Sequence, residues 1–238
     1  PVEKLSDGWH TILKNQFHDI IPGSSITQVY EDSAREYAAL LTEGKNMLDA
    51  SLSALAKNIQ TDGGVFVYNP APFETSGYVT CGGKEIYAAN IPAHGYAVVP
   101  NQVAECTAIH TDEKALENDH VRVKFDENMH IVSVYDKAEK RELIPDGAKA
   151  NVLEVYEDYP RSYDAWEITE YYKQKKWIID GVSSVETVKT AGKSGVKITR
   201  NYRNSMISQF IYLTPASKLI GFETAIDWHE DHVLLKAA

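Results

Sequence analysis

The chain has 238 residues, of which 43% are hydrophobic and 24% are charged, a composition typical of a globular protein with one or two domains. Its formal net charge is -10 and its 24 basic residues form no dense cluster, which argues against a nucleic-acid partner. Its apolar runs are too short for a membrane helix, so we expect no membrane partner and a cytoplasmic location.

The first predicted element is a helix that begins near Leu5. Its apolar residues recur at three- and four-residue steps and form a stripe for a core: Trp9, Ile12, Leu13, Phe17 and Ile20. Pro22 and Gly23 end this helix, because proline cannot donate a backbone hydrogen bond and glycine tolerates the reversed backbone of a helix terminus.

A second helix is predicted from Ser25, where Ser25 and Gln28 have the spacing of a capping box. Its apolar pattern extends for roughly 30 residues. Two antiparallel helices, one of them this long, cannot cover their own apolar stripes. We therefore expect this pair to dock against another part of the protein.

After Gln60 the pattern changes to short alternating runs separated by turn residues, which indicates antiparallel sheet. So many strands without intervening helices predict a sandwich, with Trp228 in its core. The predicted strands are Val65 to Asn69, Ser76 to Cys81, Gly95 to Val99, His120 to Phe125, Ile131 to Asp136, Val152 to Glu157, Trp177 to Ser184, Val185 to Thr190, Gly195 to Tyr202, Met206 to Leu213 and Leu219 to Trp228.

The cysteines provide neither a disulfide framework nor a metal motif. Only Cys81 and Cys106 occur, and they have no CxxC spacing. We expect two reduced thiols.

The most informative motif is NQFHDIIPGSSI, from Asn15 to Ile26, which places His18 beside Asp19 at the end of the first helix. A neutral imidazole is a good zinc donor, and a flanking acid can orient it or bind a sugar hydroxyl. By itself, the pair is also compatible with a helix cap or a solvated surface pair.

This motif resembles that of glycoside hydrolase family 38, the class II zinc-dependent α-mannosidases. Further blocks of the chain resemble the family in the same order, and the likeness covers essentially the whole sequence. These blocks are Tyr68 to Pro70, Leu116 to Asp126, Ile131 to Lys137, Asp158 to Ile168, and Asp227 to Lys236.

The resemblance implies a larger, retaining, exo-acting enzyme in which zinc is held partly by an N-terminal catalytic domain and partly by a histidine at the position of His18. It also implies that Asp19 contacts the sugar and that the substrate is a terminal α-mannoside. The family's His-x-Asp block and nucleophile block have no match here, so we assign no catalytic residue to this chain. Because one imidazole cannot form a zinc site, we expect the chain alone to be inactive and to bind zinc weakly.

The segment Asp158 to Ile168 is the second candidate, because aromatic faces and carboxylates are what sugar rings bind. We predict Asp164 and Trp166 as substrate-binding residues. The alternative is a structural loop that packs Trp166 between the sheets. The cluster His229 to His232 lacks the spacing of a helical zinc site, and we interpret it as a solvated polar turn.

The predicted fold class is α+β, mainly β. A helical hairpin from a three-helix middle domain, residues 1–60, precedes a large antiparallel β-sandwich region of the galactose mutarotase-like type, residues 61–238. Two other functions stay open: a non-catalytic carbohydrate-binding module, and a structural protein whose apolar helices drive homo-oligomer formation.

Overall fold

The structure is a computed structural model that describes residues 2–103, 109–164, 166–190, 192–215 and 217–238. The chain forms two compact units. The first, which we call the helical unit, comprises Pro1–Asp62 and Tyr159–Glu170, and the second, the β unit, comprises Gly63–Asp158 and Tyr171–Ala238. The predicted division at residue 60 stays a prediction for the domains of the whole protein.

The helical unit contains helix α1 (Val2–Asn15) and the 30-residue helix α2 (Thr27–Ala56). Polar side chains link the two helices: Lys4 Nζ lies 2.6 Å from Glu43 Oε1, and Lys14 bonds Glu36. Asn15 also donates to Glu36 Oε2, at 2.8 Å. The hydrogen bond from Lys14, followed by that from Asn15, holds the pKa of Glu36 below its usual value.

Among its described residues, the helical unit has no fully buried apolar side chain, although several are half-buried. The buried residue of α1 is Asn15, and among its described residues α2 has none. The prediction that Trp9 is a core residue is wrong, since its side chain is 60% exposed. Other large apolar side chains of the hairpin that are exposed are Leu5, Leu13, Phe17, Leu41, Leu48 and Leu55.

The β unit is built from sixteen described strands. A short 3-10 helix, Glu170–Gln174, begins at the last residue assigned to the helical unit and continues along the chain into the β unit. The strands are β1 (Val65–Tyr68), β2 (Thr75–Cys81), β3 (Lys84–Ile91), β4 (Tyr96–Val99), β5 (His110–Asp112), β6 (Ala115–Glu117), β7 (Val121–Phe125), β8 (Ile131–Asp136), β9 (Arg141–Glu142), β10 (Leu153–Glu157), β11 (Lys176–Ile178), β12 (Ser184–Lys189), β13 (Ser194–Tyr202), β14 (Ser205–Leu213), β15 (Ile220–Asp227) and β16 (Val233–Ala237).

All paired strands in the described ranges are antiparallel. The five-stranded sheet has the order β5-β6-β7-β8-β9 and the four-stranded sheet has the order β12-β13-β14-β15. Alternate residues of both sheets meet in one core, which includes Leu116, Val123, Ile198 and Ile211. This shared core buries one face of each sheet, and the β-sandwich stays a prediction.

Two smaller cores complete the β unit. Strands β2 and β3 form one core together with the paired strands β1 and β4, around Ile86 and Ile91. The sheet β11-β10-β16 contributes to the other, where Trp228 packs as predicted, beside Val155 and Ile207. The α+β class, with helices first and antiparallel strands after them, is therefore confirmed.

Several element boundaries differ from the sequence predictions. Helix α1 ends at Asn15 and does not continue to Ile20. Strand β3 was not predicted, although Gly82 and Gly83 (φ 57° and 76°) form the two-residue turn that joins it to β2. The strand predicted from Trp177 to Ser184 is only the three-residue β11.

Cys81 is a free, exposed thiol, as predicted, whereas Cys106 lies outside the described residues. No helix within the described ranges has both the length and the apolar character that crossing a membrane requires.

Candidate functional site

The connection between α1 and α2, residues 16–26, carries the His18–Asp19 pair. Short backbone hydrogen bonds fold it: the Ile20 N–H donates to the Phe17 carbonyl at 2.8 Å, and the Gly23 N–H donates to the Ile20 carbonyl at 3.2 Å. Gly23 has φ 89°, in the left-handed region that favours glycine, which explains why this turn requires a glycine. We call residues 16–26 the interhelical turn.

The Asp19 carbonyl is the centre of the turn's hydrogen bonds. It accepts a hydrogen bond from Ser25 Oγ at 2.7 Å and longer ones from Ser24 Oγ at 3.4 Å and the Tyr30 hydroxyl at 3.3 Å. The predicted capping box is therefore wrong, because the Ser25 hydroxyl bonds the turn and not the start of α2. The N-cap residue is Ile26, which makes no side-chain cap hydrogen bond.

His18 projects from this turn into solvent. Its side chain is 73% exposed, and Nε2 lies 3.6 Å from Asp19 Oδ2. The ring contacts the Phe17 ring, with 4.2 Å between centroids. Since the imidazole is not enclosed by the helical pair, its nitrogens are open to donors or ligands supplied by another part of the protein.

A cavity of about 680 Å³ lies next to this pair, within the helical unit. One side comes from the interhelical turn and the start of α2, and the other from the segment Tyr159–Glu170. Its lining residues are Asp19, Ser24, Ser25, Ile26, Val29, Tyr163, Asp164 and Trp166. The three residues predicted from sequence to contact substrate thus line one cavity.

The second side of the cavity is a tight turn. The N–H groups of Trp166 and Glu167 donate to the Tyr163 carbonyl at 2.7 and 2.9 Å, and Tyr163 has φ 59°. Trp166 is 63% exposed, so the alternative in which it packs between the sheets is wrong. The backbone of this turn therefore presents two aromatic rings and the carboxylate of Asp164 at the cavity.

The chemistry of the cavity suits a neutral, hydroxyl-rich ligand. Asp19 and Asp164 provide hydrogen-bond acceptors, Ser24 and Ser25 provide hydroxyls, and the aromatic rings provide flat apolar surface. The described residues of its lining include no lysine, arginine or histidine, so they offer no cation for an anionic group. A sugar ring with one polar edge and one apolar face matches these features.

The described residues do not form a complete metal site. They contain no group of three or more histidine, cysteine, aspartate or glutamate side chains that could hold a metal ion. A zinc site needs about three or four protein donors, so His18 could supply only one of them. His229 pairs with Asp227 at 2.9 Å and is exposed, as predicted for a solvated polar turn. Glu230 differs from that prediction, because its side chain is only 6% exposed and accepts hydrogen bonds from the Asn204 N–H and the Ser205 hydroxyl.

Sequence reasoning missed Ser24, Ser25 and Tyr163 as lining residues and the Tyr30 hydroxyl as a partner of the turn. Tyr163 could have been predicted from the sequence, because it directly precedes Asp164 in the segment Asp158 to Ile168. Tyr30 gave no local signal, since its hydroxyl reaches Asp19 only once α2 has formed.

Two family profiles match the chain. The profile described as "Glycosyl hydrolases family 38 C-terminal domain" matches residues 116–238, which is more than half of the sequence. The profile described as "Alpha mannosidase middle domain" matches residues 1–55, which include α1, the interhelical turn and nearly all of α2. The cavity residues from the turn lie in the second match, and Asp164 and Trp166 lie in the first.

Curated relatives match nearly the whole chain. "Alpha-mannosidase 2C1" of Mus musculus and that of Homo sapiens are each 28% identical over 253 residues, covering 99% of this chain and 24% of the relative. "Alpha-mannosidase G" of Dictyostelium discoideum is 23% identical over 300 residues, covering 98% of this chain and 27% of the relative. The chain therefore spans about a quarter of the length of these relatives.

Proposed function

Because this chain belongs to glycosyl hydrolase family 38, we propose that it forms part of a retaining, exo-acting α-mannosidase that hydrolyses terminal α-mannosides in glycans or manno-oligosaccharides. The observation that carries the proposal is the convergence of Asp19, Asp164 and Trp166 on one cavity beside His18. A cytoplasmic location stays a prediction.

The role of this chain in the reaction is to bind and orient the sugar. The Trp166 ring provides a surface for the apolar face of the mannose ring, while the carboxylates of Asp19 and Asp164 accept hydrogen bonds from its hydroxyls. Holding the sugar in one orientation places its anomeric carbon for attack and contributes to the rate through proximity. The nucleophile and the general acid are assigned to an N-terminal catalytic domain of the same protein.

We propose that His18 provides one nitrogen donor to a zinc ion whose other donors come from that catalytic domain. Its exposed ring supports this role, since a nitrogen that is open to solvent is also open to a metal shared with another domain. Zinc bound there would hold the sugar hydroxyls. The described part of this chain contains no group of donors that could complete such a site by itself.

The proposal is tested in the full-length protein by zinc content and by hydrolysis of an aryl α-mannoside. His18→Ala should lower bound zinc and kcat/KM by at least about tenfold, since removing a ligand or its support costs about 10- to 100-fold. His229→Ala is the matched control, because it is another exposed histidine beside an aspartate. Normal zinc content and activity in His18→Ala would disprove the zinc role.

Trp166→Ala and Asp164→Asn test the sugar contacts separately from the metal. We expect a higher KM, by about 10-fold for loss of a stacking ring or a charged acceptor, with zinc content unchanged. Trp177→Ala is a suitable control, because this tryptophan is also exposed but lies in the β unit. Unchanged KM in both variants would show that the cavity is not part of the substrate site.

The isolated chain is expected to bind zinc weakly and to show no turnover of an aryl α-mannoside. The competing proposal is a carbohydrate-binding module, which is favoured by one observation: the described lining of the cavity combines aromatic rings, carboxylates and hydroxyls, which can bind a sugar without a metal. Calorimetry of the isolated chain with methyl α-mannoside and no zinc separates the two functions. Binding abolished by Trp166→Ala but independent of zinc would favour the module.

A further inference from the structure

Tyr30 connects the two arms of the interhelical turn through its hydroxyl. It lies in the first turn of α2, and its hydroxyl accepts a hydrogen bond from the Ser25 N–H at 2.7 Å. The same hydroxyl donates toward two carbonyls on the other arm, those of Asp19 at 3.3 Å and Ile20 at 3.4 Å. One hydroxyl therefore spans the turn from the end that follows His18 to the start of α2.

A second hydrogen bond closes the same contact. Ser25, whose N–H donates to Tyr30, uses its own hydroxyl to donate to the Asp19 carbonyl at 2.7 Å. The Asp19 carbonyl thus accepts hydrogen bonds from the Ser25 and Tyr30 side chains, and the Ser25 backbone N–H links these two residues. We call Asp19, Ser25 and Tyr30 the turn clamp.

Apolar packing contributes little to the conformation of the interhelical turn, so the hydrogen bonds of the turn clamp are its main constraint. Phe17, Ile21 and Ile26 are all large and all exposed, and the start of α2 has no side-chain cap. In a segment without a buried core, a few side-chain to backbone hydrogen bonds decide which conformation is populated. The turn clamp therefore holds the backbone from which the His18 and Asp19 side chains project.

The bonds of Tyr30 show that it acts through other residues. Its hydroxyl bonds backbone groups, and Tyr30 is not among the described residues that line the cavity. Asp19, in contrast, contributes its carboxylate to the cavity while its carbonyl is bonded by the clamp. A change at Tyr30 would reach the ligand only through the orientation of Asp19 and the adjacent His18.

We propose that Tyr30 is a positioning residue that fixes His18 and Asp19 in the orientation needed for zinc and sugar. This inference rests on the proposed function of that pair. Its physical basis is that a metal donor must be placed within a few tenths of an ångström, and a misplacement of about 1 Å can cost about 100-fold in rate.

The test uses Tyr30→Phe in the full-length protein, which removes the hydroxyl and keeps the ring. We expect kcat/KM for an aryl α-mannoside to fall about tenfold and zinc release to a chelator to accelerate by a similar factor. Tyr37→Phe is the matched control, because Tyr37 is also half-buried on α2 and its hydroxyl bonds nothing in the described part of the chain. The two variants should melt within a few degrees of each other.

Zinc release is the decisive measurement, because a purely structural tyrosine would alter the melting temperature without altering the metal. If Tyr30→Phe and Tyr37→Phe release zinc at the same rate while His18→Ala has lost zinc, the positioning role is wrong and the proposed function stands. If His18→Ala keeps its zinc, both fail. Should Tyr30→Phe not fold, Ser25→Ala removes another bond of the clamp, and faster zinc release is expected from it as well.

Discussion

The helical unit and the β unit differ in where they place their large apolar side chains. In the β unit, Leu116, Val123, Ile211 and Leu213 are fully buried in a core shared by two sheets. In the helical unit, leucine and tryptophan side chains of the same size face solvent, and polar bonds such as Lys4 to Glu43 link the helices. The same kind of residue therefore stabilises one unit and leaves the other with an uncovered surface.

The β unit also buries a charged side chain, that of Arg200, whereas the ion pairs of the helical unit are exposed. Arg200 is 2% exposed and donates to the carbonyls of Asn128 at 2.6 Å and Asp180 at 3.2 Å. Burial lowers the pKa of its guanidinium, although the nearby Asp180 and Asp126 oppose this effect. A unit that can satisfy a buried arginine has a closely packed interior, whereas the helical unit relies on exposed ion pairs that contribute little.

The candidate site therefore lies in the helical unit, the part of the chain with the less developed apolar core. His18, Asp19, Asp164 and Trp166 all belong to the helical unit. A site whose histidine is open and whose supporting helices expose an apolar stripe is suited to completion by another domain. The β unit has three buried apolar cores of its own, although it also exposes apolar side chains such as Phe222 and Ile226.

The largest expected effect comes from removing the same side chain in each unit. Leu116→Ala should lower the free energy of unfolding by about 2 to 5 kcal/mol, because Leu116 is fully buried and its loss leaves a cavity. Leu41→Ala, at a 69% exposed position of α2, should change it by less than about 0.5 kcal/mol. Urea unfolding of the two variants measures this difference, and equal losses would refute the contrast between the units.

A second matched pair of variants, Gly195→Ala and Gly44→Ala, should change the free energy of unfolding in opposite directions. A Cβ at Gly195 would lie 2.0 Å from the Ile211 carbonyl oxygen, so Gly195→Ala should destabilise the β unit by about 3 kcal/mol. At Gly44, in α2, a Cβ would meet no atom of the described residues within 4 Å, and Gly44→Ala should stabilise the helix by about 1 kcal/mol. Thermal unfolding followed by circular dichroism measures both changes in stability. Destabilisation by Gly44→Ala would contradict the open space around position 44 of α2.

The smallest expected difference between the two units depends on pH. Burial alone would raise the pKa of Asp126, but hydrogen bonds from Lys149 and the His130 N–H outweigh it and hold the pKa below 3.8. Its stabilisation is therefore fully present above the unfolded value near 3.8 and is lost as the pH falls through the lower folded value. Asp126→Asn should cost about 1 to 2 kcal/mol at pH 6 and progressively less below pH 3.8.

Glu36→Gln is the counterpart in the helical unit. The pKa of Glu36 is also depressed, so its contribution has the same sign and is lost as the pH falls. Because Glu36 is partly open to solvent, salt and water screen its pairing with Lys14, and the effect should be smaller than at Asp126. Urea midpoints measured between pH 6 and pH 2 would test this order, and a larger effect at Glu36 would reverse it.

The sequence predicted the helices and many of the strands because their apolar residues repeat with the period of the element. It was less successful where propensity was weak: β3 contains lysine, asparagine and two alanines, and only its turn and its pairing with β2 make it a strand. The capping box failed because the Ser25 hydroxyl had a competing acceptor in the Asp19 carbonyl, which a local motif does not reveal.

For the site, the sequence by itself placed His18 next to Asp19 at a helix end and singled out Asp164 and Trp166 by their residue types. Only the tertiary structure decided that Asp19, Asp164 and Trp166 line one cavity, that the His18 ring is open, and that Tyr30 bonds the turn. The physical reason is that periodicity and motif spacing describe neighbours along the chain. Contacts between distant segments depend on how whole elements pack, which no local pattern contains.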